Sequence, residues 1–198
     1  SKLNKSYRKF DPDFDDLISR NSNSNLNDDL AFLVNNWSDL SVAQTKSLFT
    51  KLDFTGLQGN KVLRAQNDII QEVQQRGIST PYNYSYPIED FTISQDAFFV
   101  RVHNSNNQAR AWLISIEDFK NFGSEQLLID KLALPVNPSE ISLVKVPAGV
   151  KVRRSVAGSQ NWDNMPSQNG GSIQYEVIEE YAKPEWFKKI GDLSEYIN

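Results

Sequence analysis

The chain has 198 residues, of which 39% are hydrophobic and 11% aromatic, so it can build a core and is expected to fold. Its net charge of −4 argues against a general nucleic-acid binder, which would be basic. The chain has no cysteine, which excludes disulfides, thiolate metal sites and cysteine nucleophiles, and its single histidine leaves little for a multi-histidine metal centre.

The first eighty residues are expected to be mainly helical, because their apolar residues recur at helical spacing. The predicted helices cover residues 10–18, 28–37, 41–52 and 61–75, the last of which ends at Gly77. Composition changes at Ser79, where prolines and tyrosines cluster. We therefore expect a helical N-terminal subdomain over residues 1–80 and a β-rich catalytic domain over residues 81–198.

Beyond residue 80 the hydrophobic period shortens to that of a strand. The predicted strands cover residues 97–103, 110–116, 141–146, 150–155 and 173–178, with short helices at 115–119 and 124–132. The first two strands are expected to pair around a polar turn at residues 104–107. A helical part followed by a β-rich part indicates an α+β fold.

Candidate site residues occur in the first predicted hairpin. Arg101 lies in the middle of an apolar strand, where it is either on the exposed face or in contact with a phosphate. His103 shares that face and is either structural or an acid–base group. Arg110 and Trp112 share a face of the next strand, where the indole belongs either to the core or to a stacking surface for a planar ring.

A second group of candidates lies near the C-terminus. Lys151, Arg153 and Arg154 form a cationic strip, which suits either a solvated strand edge or a pyrophosphate. The glycine pair at residues 170–171 permits unusual backbone angles and close approach of a ligand, although the strand-GxGxxG-helix fingerprint is absent. Next along the chain, residues 174–176 place a glutamine and a glutamate on one side of a strand, with a tyrosine opposite.

Over residues 98–177 these segments resemble the C-terminal toxin domains of bacterial polymorphic toxins, in particular the necrotizing-toxin (TNT-type) NAD glycohydrolases. The resemblance is carried by Arg101, Trp112-Leu113, Phe122-Gly123-Ser124-Glu125, Leu132-Ala133-Leu134-Pro135, the sequence VPAGVKVRRSVAG at residues 146–158, and Gly170-Gly171-Ser172-Ile173-Gln174-Tyr175. It implies a β-core related to the split β fold of ADP-ribosyltransferases, with NAD as the substrate and no metal.

The same resemblance implies roles for individual residues. Gln174 is expected beside the nicotinamide ribose, and the full expected catalytic set is Gln174, Glu176, Arg101 and His103. The residues expected to contact NAD are Arg101, Arg110, Trp112, Arg153, Gly170, Gly171 and Tyr175. The resemblance also implies a cognate immunity protein, and delivery from a larger secreted bacterial protein into the cytoplasm of a target cell.

Other functions remain open at this point. The sequence Gln174-Tyr175-Glu176 also matches the Gln-x-Glu pattern of mono-ADP-ribosyltransferases, in which the glutamate supports transfer to an acceptor. A metal-independent RNase toxin would use His103, Arg101, Arg153 and Tyr175 for acid–base chemistry and phosphate stabilisation, with RNA as its substrate. A non-enzymatic module would use the cationic strip to bind an acidic partner.

Overall fold

A computed structural model describes residues 34–198 of the chain. The helix predicted at residues 10–18 and most of the one predicted at 28–37 lie outside the described residues. Within residues 34–198, eight antiparallel strands form one sheet and four α-helices pack against it. The α+β class predicted from the sequence is therefore confirmed.

The helices are α1 (Val42–Lys51), α2 (Gln66–Arg76), α3 (Ile116–Asn121) and α4 (Glu125–Leu132). Serine side chains cap three of them, because Ser41, Ser115 and Ser124 each accept a hydrogen bond from a backbone N–H in the first turn. Helix α2 ends at Gly77, whose φ of 66° lies in the left-handed region. These boundaries confirm the predictions for residues 41–52, 115–119 and 124–132, and the stop at Gly77.

The strands are β1 (Gly59–Leu63), β2 (Glu89–Ile93), β3 (Ala97–His103), β4 (Trp112–Ser115), β5 (Glu140–Val146), β6 (Lys151–Val156), β7 (Ile173–Ile178) and β8 (Phe187–Asp192). Their order across the sheet is β1-β2-β6-β7-β4-β3-β5-β8. All five predicted strands are confirmed, with small differences at their ends. Strands β1, β2 and β8 were not predicted.

The helix predicted over residues 61–75 is wrong in its first part. Residues 59–63 form strand β1, which pairs with β2 at the edge of the sheet, and the helix begins only at Gln66. Both Val62 and Leu63 are exposed, so the apolar spacing that indicated a helix does not mark a buried face here. Strand β1 belongs to the same sheet as the other seven strands. The domain boundary predicted at residue 80 would therefore separate this edge strand from the rest of its sheet.

Strand β4 joins the two halves of the sheet through short ladders. Its first two residues, Trp112 and Leu113, pair with β7, whereas Ile114 and Ser115 pair with β3. Each ladder holds only two residue pairs, and a cavity lined by residues of β3, β4 and β7 lies beside them. The sheet is open at this point, with β1-β2-β6-β7 on one side and β3-β5-β8 on the other.

Three helices cover one half of the sheet, and α2 covers part of the other. Helices α1, α3 and α4 pack on β3, β5 and β8 in one cluster that includes Leu48, Phe119 and Leu128. On the other half, the α2 residues Ile69 and Val73 form a smaller cluster with residues of the 82–88 segment. Helix α2 and the C-terminal end of α4 thus lie on opposite sides of the opening beside β4, and both contribute to the cavity found there.

Candidate functional site

A cavity of about 650 Å³ lies at the opening between the two halves of the sheet, and we call it the central cavity. Strands β3, β4 and β7 contribute to it, as do the end of α2 and the segment that follows α4. Its volume is within the range of small-molecule sites, about 300–1,000 Å³. Of the described residues that line it, three are arginines and none is an aspartate or glutamate, so the lining has a positive charge.

Arg101, on β3, is the most enclosed of the three arginines. Its guanidinium donates hydrogen bonds to the carbonyl oxygens of Asn107, Gln108 and Trp112, at 3.1, 3.3 and 3.1 Å. It forms no ion pair with a described residue. Burial lowers the pKa of Arg101 to about 10, and the charge of Arg110 adds to this effect. The group is therefore a fixed cation without a counter-ion, which suits an anionic ligand.

The other two arginines lie nearer the solvent. Arg110 is exposed, and its side chain forms no ion pair with a described residue. Arg76, the last residue of α2, is 44% exposed and donates a hydrogen bond of 3.3 Å to Glu176. Arg76 and Arg110 are exposed whereas Arg101 is enclosed, so the cavity offers an anion cations both at its mouth and inside.

Two tryptophans supply flat apolar surface to the cavity. Trp112 comes from β4 and lies 6.4 Å, centroid to centroid, from the ring of Tyr82. Trp162 comes from the loop between β6 and β7, and its indole N–H donates to the carbonyl oxygen of Ala133 at 2.8 Å. The segment 132–136 adds further apolar lining. Planar ligands are favoured by such walls, because aromatic side chains stack on rings.

Gln174, on β7, brings an amide to the same cavity. Its Nε2 donates to the carbonyl oxygen of Pro81 at 2.9 Å and to Oγ of Ser155 at 3.2 Å. With both amide hydrogens engaged, the orientation of the group is fixed and its oxygen accepts no hydrogen bond from a described residue. A buried, neutral acceptor without a donor can bind a ligand hydroxyl or a water molecule.

Glu176 lies on the same side of β7 as Gln174 but does not line the cavity. Its carboxylate, 4% exposed, accepts hydrogen bonds from Oη of Tyr82 at 2.6 Å and from Arg76. Burial raises the pKa of Glu176, although the Tyr82 hydrogen bond and the positive charge of Arg76 act against this rise. The glutamate is thus enclosed behind the cavity wall and holds Arg76 from there.

Arg153 is also buried behind the wall, in a network of ion pairs. It donates to both carboxylate oxygens of Asp90 at 2.8 and 3.0 Å, to Glu72 at 3.1 Å and to the Tyr82 hydroxyl at 3.1 Å. Burial acts to lower the pKa of Arg153, but hydrogen bonds with Asp90 and Tyr82 outweigh it and the pKa is raised. Arg64 joins the same network through Asp90 and Glu72. The charge of Arg153 is therefore neutralised inside the protein.

His103 is buried and contacts Ser142 and Glu140 in an arrangement that resembles a hydrolase triad. Its Nε2 lies 2.7 Å from Oγ of Ser142, and its Nδ1 lies 3.7 Å from Glu140 and 2.8 Å from the carbonyl oxygen of Asn104. Burial lowers the pKa of His103, helped by the charge of Arg101. Because Ser142 is fully buried and neither residue lines the central cavity, no substrate can reach the serine.

The glycine pair and Tyr175 have packing roles. The N–H of Gly170 donates to the carbonyl oxygen of Asp130, and that of Gly171 donates to that of Ala157, so the pair connects α4 to the end of β6. A side chain at Gly170, whose φ is +68°, would place its Cβ 2.4 Å from the Ala157 oxygen. Tyr175 packs on Phe99 in the core on the opposite face.

The structure thus brings some of the predicted residues together and separates others. Those that line the central cavity are Arg101, Arg110, Trp112 and Gln174. Those that lie outside its lining are His103, Arg153, Gly170, Gly171, Tyr175 and Glu176.

Among the lining residues that the sequence analysis did not single out, a cation and an aromatic side chain suit a ligand best, namely Arg76 and Trp162. Arg76 has the typical position of a basic residue in the last turn of a helix, which hides any binding role. Trp162 could have been found from the sequence, because a large aromatic residue within an otherwise polar loop indicates a contact other than regular core packing.

Comparison with protein-family models, with curated proteins and with solved structures gives no match to this chain. Among residues 34–198, no helix combines the length and apolar character needed to cross a membrane. The same residues contain no cluster of three histidine or acidic side chains able to hold a metal ion.

Proposed function

We propose that the central cavity binds NAD and that the protein hydrolyses it to ADP-ribose and nicotinamide, as a toxin domain would. The observation that carries the proposal is the shared cavity itself, which has two tryptophan walls. Within residues 34–198, Arg101 has no counter-ion there and the amide oxygen of Gln174 accepts no hydrogen bond. On this proposal, the opening of the sheet at β4 corresponds to the split β-core of ADP-ribosyltransferases.

The charges of the cavity suit the pyrophosphate of NAD. Arg101 offers a fixed guanidinium, and Arg110 lies close enough to affect its pKa. Two adjacent phosphates would offset the repulsion between Arg101 and Arg110, so both arginines would strengthen binding of the pyrophosphate. Trp112 and Trp162 offer the flat surfaces on which the adenine or nicotinamide ring would stack.

Gln174 suits a reaction that develops positive charge on a ribose. Cleavage of the nicotinamide–ribose bond passes through an oxocarbenium-like state, as glycoside cleavage does, and nicotinamide leaves as a neutral molecule. The amide of Gln174 is held by its bonds to Pro81 and Ser155. Its oxygen can therefore accept a hydrogen bond from a ribose hydroxyl or orient a water molecule, and because the amide is neutral it forms no ion pair with the substrate. No strong general acid is needed.

Hydrolysis is favoured over transfer by the position of Glu176. In the Gln-x-Glu arrangement of a transferase, the glutamate must reach the ribose, whereas here Glu176 is hydrogen-bonded to Tyr82 and Arg76 behind the cavity wall.

An RNase is less well supported, because His103 is hydrogen-bonded to Ser142 outside the cavity lining. An immunity protein, expected by analogy, would inhibit by covering the mouth near Arg110.

The test is incubation of the purified protein with NAD and no acceptor, followed by chromatography of the products. We expect nicotinamide and free ADP-ribose in equal amounts. Label that appears only on an added protein or nucleic acid would indicate transfer instead. Intact NAD, or cleavage of added RNA by a metal-free preparation, would overturn the proposal.

A further inference from the structure

A chain of hydrogen bonds runs from His103 to the loop that surrounds Arg101. The carbonyl oxygen of Asn104 can only accept, so Nδ1 of His103, at 2.8 Å, carries the hydrogen. In the neutral ring Nε2 then accepts from Oγ of Ser142 at 2.7 Å. The Ser142 oxygen in turn accepts from Nε2 of Gln108 at 2.9 Å. Every bond of the chain therefore has a defined direction.

The chain ends at the residues that cage the arginine. Gln108 and its neighbour Asn107 are uncharged. The backbone carbonyl oxygen of Gln108 accepts a hydrogen bond from Nε of Arg101, and that of Asn107 accepts one from Nη2. A third carbonyl, that of Trp112, accepts from Nη1. The guanidinium is thus oriented by neutral dipoles and keeps its full charge for a ligand. Its orientation depends on the position of the loop at residues 104–111.

We propose that His103, Ser142 and Gln108 are positioning residues, which hold Arg101 as an anion-binding group by fixing the loop that cages it. This inference rests on the proposed function, in which Arg101 binds the pyrophosphate. It gives the buried histidine a role that needs no access to the substrate, and it makes the hydroxyl of Ser142 a relay rather than a nucleophile.

The direction of the chain requires a neutral imidazole. A proton on Nε2 would donate to Oγ of Ser142, so the direction of that bond would reverse and the serine hydroxyl would lose the histidine as its acceptor. The charged groups around His103 are Arg101 on its own strand, Glu140 on β5 and Lys189 on β8, and Glu140 forms an ion pair with Lys189 at 2.7 Å. Burial lowers the pKa of His103, which keeps the ring neutral at physiological pH.

The first experiment observes Arg101 directly in the protein without ligand. Its side-chain Nε–H, bonded to the Gln108 carbonyl, should give a sharp ¹⁵N-detected NMR signal that exchanges slowly with water. Gln108→Met, which keeps the backbone carbonyl but removes the amide, should speed this exchange by about three- to tenfold. Unchanged exchange in both Gln108→Met and Ser142→Ala would overturn the inference, whether or not NAD is a substrate.

The second experiment measures binding of ADP-ribose by calorimetry. Gln108→Met should weaken binding about three- to tenfold in the wild-type background, but should have no effect in the Arg101→Met background. Equal weakening in both backgrounds would show that Gln108 acts independently of Arg101 and would overturn the inference. Failure of the wild-type protein to bind ADP-ribose would instead count against the proposed function.

The pH dependence of ADP-ribose binding distinguishes a positioning role of His103 from a role in packing alone. In the wild-type protein, ADP-ribose binding should weaken as pH falls through the pKa of His103. His103→Gln can place a neutral acceptor near Ser142 and does not titrate there, so its binding should stay level over the same range. A parallel fall in both proteins would contradict a relay through His103.

Discussion

The hydroxyl of Tyr82 is central to the buried ionic network behind the cavity. It donates to Glu176 at 2.6 Å and accepts from Arg153 at 3.1 Å, and the residue is 2% exposed. Tyr82→Phe removes both bonds without creating a large cavity. Hydrogen bonds to charged groups contribute about 1.5–3 kcal/mol each, so the loss of both bonds should lower the free energy of unfolding by about 3–6 kcal/mol at neutral pH.

The loss should depend on pH through Glu176. Burial raises the pKa of this carboxyl above its usual 4.5, so the folded state binds the proton more tightly than the unfolded state. Stability therefore falls as pH rises from the unfolded pKa through the raised one. Removal of the Tyr82 donor raises the pKa further, so the substitution should cost less at pH 5 than at pH 8.

The assay is urea unfolding followed by tryptophan fluorescence at both pH values. Tyr84→Phe is the matched control, because among the described residues the hydroxyl that it removes bonds to Thr80 alone, and it should cost less than about 1 kcal/mol at either pH. A Tyr82→Phe protein with wild-type stability, or with the same deficit at both pH values, would refute the argument that this hydroxyl stabilises a buried charged Glu176.

Three further substitutions test other parts of the account. Arg101→Met should raise the dissociation constant of ADP-ribose at least about tenfold in calorimetry, whereas Arg154→Met, which removes an ion pair with Glu89, should leave binding unchanged. Gly170→Ala should lower the free energy of unfolding by about 2–4 kcal/mol in urea, because of its positive φ and the close Ala157 oxygen, and wild-type stability would contradict this. The Nζ of Lys120 donates to the carbonyl oxygens of Phe49 and Leu52 at the end of α1. Lys120→Met should therefore lower the free energy of unfolding by about 1–2 kcal/mol and speed amide hydrogen exchange at that end of the helix. Unchanged exchange would count against this contact.

The sequence predicted most of the fold where apolar periodicity and caps agreed. Strand β3 was recognised from its apolar run, and α4 from the serine at its start. Strand β2 was missed because Glu89 and Asp90 make it look polar, although both carboxylates pair with arginines across the sheet. Periodicity cannot detect such a strand, since the arginine that allows Asp90 to be buried lies 63 residues away in the sequence.

The candidate site was predicted in part, for a similar reason. Local sequence placed Arg101 and Gln174 on strands, and the structure places both on one cavity. The cationic strip looked accessible, but Arg153 is neutralised by Asp90 and Glu72, which are distant in sequence. Whether an arginine is free or paired depends on such long-range contacts, and a single sequence does not contain them.

The most direct test is the rate of nicotinamide release from NAD by the wild-type protein, compared with Gln174→Ala. Gln168→Ala is the control, because Gln168 is a buried glutamine outside the cavity lining. We expect NAD cleavage by the wild-type and control proteins, and a rate about 10²–10³-fold lower in Gln174→Ala, with its fold verified by circular dichroism. No cleavage by the wild-type protein, or an unchanged rate in folded Gln174→Ala, would contradict the account.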